Sequence, residues 1–193
     1  MRRPLRIHVA SILAACALIA AASPAMAATA ATAATVAGRS MDGGGVELVA
    51  PDAARPGDET TFTFRVFNGS PDSEWTTDVV ITFPDGFTVL DGSYDDSGAS
   101  GAWSFAFLGA GTRVAHWADD DGGYGEIAEG ESGLFSAGVR IGGGCDCGAV
   151  FIHWYQQGDI WGGTPHFIEG DLPFRLCGET QAGGTWSRVK SLF

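Results

Sequence analysis

Thr60-Thr61-Phe62-Thr63-Phe64-Arg65-Val66-Phe67 sets Phe62, Phe64 and Val66 on one side of an extended chain and Thr61, Thr63 and Arg65 on the other. That period of two belongs to a strand with one face in a core. Asn68-Gly69-Ser70-Pro71-Asp72 ends it with residues that favour turns. Working outward, the same texture recurs. Thr77 to Phe83 carries Val79, Ile81 and Phe83 on one side, and Pro84-Asp85-Gly86 turns the chain into a short strand over Phe87 to Leu90. Ala102 to Leu108 groups Trp103, Phe105 and Phe107, and Thr112 to Trp117 answers it across Gly109-Ala110-Gly111. Gly133 to Ile141, Ala149 to Gln156 and Pro173 to Leu176 complete the series, with Val150, Ile152 and Trp154 set against Phe151, His153 and Tyr155. Seven or eight short strands with turns between them and no helical period predict an all-β antiparallel sandwich, with a closed barrel as the alternative. The 29 glycines suit many tight turns.

The flanks of this 193-residue chain read differently. Arg2, Arg3 and Arg6 precede an apolar run from Ile7 to Ala22, and Ser23-Pro24 leads into Ala25-Met26-Ala27. This is the build of a signal peptide over residues 1–27, placing the rest of the chain outside the cytoplasm. Leu13-Ala14-Ala15-Cys16 also has the form of a lipoprotein box, so a membrane is expected as a partner only through the leader or through an acylated Cys16. Residues 28–45, rich in Ala, Thr and Gly, predict a flexible spacer. Residues 46–178 form the domain, and residues 179–193 a glycine hinge with a short amphipathic tail in which Trp186, Val189, Leu192 and Phe193 recur beside Arg188 and Lys190.

Charge narrows the function. Formal net charge is −12; loss of the leader removes three arginines and no acid, giving −15. One lysine, Lys190, remains, so a phosphate backbone is repelled and nucleic-acid binding is excluded.

Chemistry-bearing residues are few. Beyond the leader the histidines are His116, His153 and His166, and no nucleophile elbow, His-Glu-x-x-His pair or phosphate loop accompanies them. His116 and His153 fall within expected strands, where a hydrogen-bonded structural role is expected. Cys145, Cys147 and Cys177 leave one disulfide and one spare thiol, Cys177 pairing with Cys145 or Cys147. A zinc centre on these cysteines with His153 or His166 is the competing use, and with it a metal-dependent hydrolase. Asp119, Asp120 and Asp121, followed by two glycines, are candidate calcium ligands, although their spacing is not that of an EF-hand. No other cofactor is expected. Trp75, after a turn, and Trp161 and His166, in the loop Gly158 to His166, are the candidate ligand-binding residues, since loop aromatics offer large contact area at low entropy cost.

The segment Phe67 to Trp75, continuing to Phe83-Pro84, together with Gly158-Asp159-Ile160-Trp161-Gly162 and Pro165-His166, resembles the immunoglobulin-like sandwich modules of secreted bacterial proteins, which often accompany extracellular peptidases or adhesins. Thr185 to Phe193 is similar to tails on exported bacterial proteins. The resemblance implies a non-enzymatic, secreted or surface-attached protein used for adhesion or matrix contact, with a surface protein or polysaccharide as partner and Trp186, Arg188, Lys190 and Phe193 as an address. The alternative is a carbohydrate- or calcium-binding module.

Overall fold

The computed structural model describes residues 39–160 and 166–177. Ten strands form among them: β1 (Gly45–Ala50), β2 (Ala53–Ala54), β3 (Glu59–Phe67), β4 (Thr76–Thr82), β5 (Phe87–Asp95), β6 (Phe105–Leu108), β7 (Val114–Asp119), β8 (Ser132–Ile141), β9 (Gly148–Gly158) and β10 (Phe167–Leu176). They make two sheets, of order β1-β3-β8-β5 and β2-β10-β9-β4-β7-β6. All neighbours are antiparallel except β2 and β10, which run parallel.

The faces follow the alternation. Phe62, Phe64 and Val66 of β3 meet Val79 and Ile81 of β4, Phe135, Ala137 and Val139 of β8, and Ile152 and Trp154 of β9 in one core. Its aromatics interlock edge to face: Phe62 packs against Phe83 and Phe174 at 5.0 and 4.9 Å between ring centroids, and Phe135 against Trp117 and Phe105 at 5.3 and 5.4 Å. Such pairs add roughly 0.5–1.5 kcal/mol each beyond the area they bury.

Two expectations need correction. The strand count is ten rather than seven or eight: β1 is not among the strands read from the sequence, and β2 is two residues long, carries no readable period and pairs with β10 in parallel. The spacer expected through Gly45 ends earlier. Met41 is fully buried, Ser70 donates from Oγ to the Ser40 carbonyl at 2.6 Å, and Arg39 reaches Asp159, so residues 39–44 belong to the folded body. The apolar Met41 and the ionic partner of Arg39 offset the ordering entropy that the neighbouring glycines raise. Residues 1–38 and 178–193, holding the expected leader and tail, lie outside the described residues, as does Trp161. Among the described residues no helix is long and apolar enough to cross a membrane.

The two long sides of the sandwich differ. On one, Phe107 of β6 lies over Gly92 of β5, where an added Cβ would overlap the ring, and Tyr94 donates to the Trp103 carbonyl at 2.9 Å. That side is closed. On the other, β1 faces β10, which β2 covers only at its end, and Pro51 and Asp52 carry the chain from the first sheet into β2 of the second.

Candidate functional site

One end of the sandwich gathers the β3–β4, β5–β6 and β7–β8 connections with the residues flanking the β9–β10 connection, and Asn68 ties them together. This buried side chain donates from Nδ2 to the carbonyls of Glu74 (2.6 Å) and Ile127 (2.8 Å), and its Oδ1 accepts from the Ser70 amide (3.0 Å). Its backbone pairs with Glu131 and Gly130. The sequence marks Asn68-Gly69-Ser70-Pro71 as a turn; the structure makes it the joint between two loops.

Trp75 stands on this joint. Its amide donates to Asp159 Oδ2 at 3.3 Å, and the next residue, Thr76, pairs through its backbone with Ile127 and Glu126. The indole is 36 % exposed and borders an open depression of about 620 Å³ lined by Arg39, Asp72, Ser73, Trp75, Tyr124 and Asp159. Tyr124, 60 % exposed, gives a second aromatic wall. Arg39 forms the polar wall: it bridges to buried Asp159 at 3.2 Å and donates to the carbonyls of Asp72 and Ser73. Two aromatic surfaces with a fixed guanidinium and carboxylate between them can stack on and hydrogen-bond to a flat or hydroxylated ligand.

On its other flank Trp75 borders a smaller hollow of about 250 Å³ that includes Trp103, Asp121, Glu126 and Glu131. Asp119, Asp121 and Glu126 bring carboxylate oxygens within 4.8 Å of one another. Sequence reasoning grouped Asp119, Asp120 and Asp121. Near a strand end successive side chains face opposite ways, so Asp119 and Asp121 share a side while the Asp120 amide bonds back to Ser104, and Glu126 takes the third place. Burial pushes the Glu126 carboxyl above the ordinary glutamate range, and Asp121 and Asp119 add to this against the pull of the Ser104 amide, which donates to it at 2.7 Å. A carboxylate whose folded pKa is raised favours the native state below its unfolded pKa and loses that contribution as pH rises through the folded value. Glu126→Gln keeps an acceptor for Ser104 and removes the charge. The variant is expected to melt higher than the parent at pH 7, with the difference shrinking toward pH 4, measured by calorimetry at both; an unchanged difference across pH would show that Glu126 is not the source.

The other sequence-chosen residues divide. His166 turns inward, with Nδ1 2.8 Å from Oε1 of fully buried Glu74. It supports the loop from beneath. The zinc centre is overturned: Cys147 and Cys177 form a disulfide, Cys145 is the free thiol, and oxidised sulfurs are not thiolate ligands. The disulfide continues the β9–β10 ladder, taking the next pair after Gly148 and Leu176. It sits at the start of β9 and His166 beyond its end, roughly 30 Å apart at about 3.3 Å per residue. His116 and His153 lie on the outer face of the six-stranded sheet. His116 Nε2 meets Asp78 at 2.7 Å, and His153 meets Asp171 at 3.1 Å and Glu169 at 3.7 Å. Burial raises Asp78, but the bonds from His116 and Thr77 and the charge of His116 outweigh it and hold that carboxyl below the usual aspartate range. These are surface pairs across strands, and each imidazole has a carboxylate partner. Arg39 and Tyr124 carry no signal in the sequence; Ser73, Asp159 and Glu126 lie in segments or acidic runs that the sequence marks, but only the loops bring all five to this end.

No family model matches the chain, and no curated protein matches it. Among solved structures it is similar to a protein from Corynebacterium diphtheriae described as membrane anchored, at TM-score 0.50 and 10 % identity, covering 71 % of this chain and 36 % of that one. The chain thus spans about a third of that protein's length. A Nocardia farcinica protein described as having an immunoglobulin-like fold aligns at TM-score 0.42 and 18 % identity, over 67 % of this chain and 97 % of its own. AvmM, described as catalysing macrocyclization in alchivemycin A biosynthesis, aligns at TM-score 0.46 and 15 % identity, over 74 % and 93 %. The fold is a two-sheet, almost wholly antiparallel β-sandwich. At these identities the likeness is one of architecture, on which unrelated functions are built.

Proposed function

We propose that this chain is a non-catalytic recognition domain working outside the cytoplasm, attached to or released from the cell surface, whose loop end around Trp75 adheres to a surface partner. The observation that carries the reading is the depression in which Trp75 and Tyr124 face the fixed Arg39–Asp159 pair. Large aromatics and arginine are the side chains that dominate binding energy when a partner covers them. The Cys147–Cys177 disulfide supports the location, since such bonds persist in oxidising compartments, and the leader-like residues 1–27 agree with it.

The test is retention on isolated cell-envelope material. The parent is expected to bind, and Trp75→Ala with Tyr124→Ala to bind on the order of tenfold or more weakly at an unchanged melting temperature. Equal retention of parent and variant removes the loop end from adhesion.

A second reading, a carbohydrate module, is favoured by the two hollows flanking Trp75. Calcium belongs to it through Asp119, Asp121 and Glu126, with water or ligand hydroxyls completing a shell of six to eight oxygens. A ligand bound only by the native state raises the melting temperature, so a glycan panel with and without calcium decides this reading, and a flat panel ends it.

A further inference from the structure

Among the described residues the six-stranded sheet is left open along most of β10. β9 pairs with all of Phe167 to Leu176, but on the opposite side β2 pairs only with Arg175 and Leu176. Two bonds fix which backbone groups are free. The Cys177 amide donates to Ala54 beside β2 (2.8 Å), and the His166 carbonyl accepts from Gly158 of β9 (2.7 Å). In a strand the N–H and C=O of one residue point the same way and successive residues alternate. The odd-numbered residues Phe167, Glu169, Asp171 and Pro173 therefore turn their backbone groups away from β9. Among the described residues none of these groups has a backbone partner. The edge offers three donors and four acceptors, and Pro173 sits where a missing N–H costs the sheet nothing.

The side chains beside this edge report the same gap. Where β2 covers β10, Phe174 and Leu176 are buried; where it does not, Ile168 and Leu172 stay partly exposed although they pack on the core. Between β10 and β1 runs a groove of about 360 Å³ lined by Val46, Leu48, Leu172 and Pro173, with Glu47 and Asp52 on its rim.

We propose that this edge receives an added strand from a partner protein, an extended segment that alternates basic and aliphatic residues. Only a strand backbone satisfies a row of free donors and acceptors, which is the recognition mode of strand addition. Aliphatic side chains on one face of that strand fill the groove against Leu48 and Leu172. Basic ones on the other meet Glu169 and Asp171, which with Glu47 and Asp52 make the surroundings acidic. A second copy of β10 is disfavoured: the two-fold register that pairs these four edge residues with one another sets Glu169 opposite Asp171, and like charges directly opposite are destabilising.

The probe is a synthetic eight-residue peptide alternating lysine and valine, added to the full chain after leader removal. Saturable binding is expected, with amide exchange slowed at Phe167, Glu169 and Asp171. Glu169→Lys with Asp171→Lys is expected to weaken binding on the order of tenfold, and a serine-for-valine peptide to bind no better than buffer. Trp75→Ala should leave binding unchanged, which separates this edge from the loop end. Absence of slowed exchange, or affinity that survives charge reversal, overturns the proposal. So do edge amides already protected in the free protein, whether they become labile on dilution, which assigns the edge to a second copy, or on removal of residues 28–38 or 178–193, which assigns it to the chain itself.

Discussion

Asn68→Ala lowers the stability of the sandwich by about 3 kcal/mol, or roughly 10 °C in melting temperature for a domain of this size. The side chain is almost fully buried and makes three hydrogen bonds that no neighbour replaces. Removing it strands the carbonyls of Glu74 and Ile127 and the Ser70 amide away from water, and an unpaired buried polar group costs about 1–3 kcal/mol. Asn68→Asp is expected to be worse than alanine, because its carboxylate keeps the acceptor for Ser70 but faces two carbonyl oxygens. Urea unfolding measures both, and a loss for alanine below 1 kcal/mol would show that the two loops are held by other contacts. The same substitution carries a functional consequence. Glu74 precedes Trp75, and Ile127 holds Thr76 through a 3.0 Å backbone bond. Loosening Asn68 therefore releases the indole from the depression, and the adhesion proposed for this loop end should fall with it at temperatures where the core is still folded.

The second large effect is at the disulfide. Cys147 and Cys177 are 30 residues apart, and closing a loop of that length stabilises by about 3–4 kcal/mol through the entropy of the unfolded chain. Cys147→Ser with Cys177→Ser is expected to lose that amount by urea unfolding, while Cys145→Ser should change stability by less than about 0.5 kcal/mol. A serious loss in Cys145→Ser with little in the double variant would mean that the wrong thiol has been assigned to the bond. The effect should be local as well as global, because the bond closes the open end of the β9–β10 ladder and lies beside the two residues that β2 covers. Without it, β2 and the last residues of β10 should exchange their amides first.

How much of this was legible differs from element to element. β3, β4 and β8 read directly, because each keeps bulky apolar residues on alternate positions and polar ones between. The first half of β10 did not read as a strand. Ile168-Glu169-Gly170-Asp171 carries acids on its outward face and a glycine on its inward one, the pattern of an edge rather than of a core strand. β5 was read only to Leu90 because Gly92 and Ser93 lack bulk, yet Gly92 is required there by the Phe107 ring lying over it. The choice between Cys145 and Cys147 was open in the sequence, and the strand register closed it, since Cys147 is the residue that falls opposite Cys177.

At the loop end, Trp75 was recognisable as an aromatic beside a turn, and Asp119 and Asp121 as an acidic run. Tyr124 and Arg39 carried no local signal, and Asp159 stood out only as part of the Gly158 to His166 loop; the three are far apart in sequence and are joined by the packing of loops. Alternation of side chains is a property of neighbours along the chain, so the sequence alone determined the class of fold, the buried faces and the turns. Convergence is a property of the chain's path through space. Which carboxylates meet, which thiols pair, and which strand among the described residues keeps an uncovered edge were decided only when β2 ended after two residues and the loops closed over Asn68.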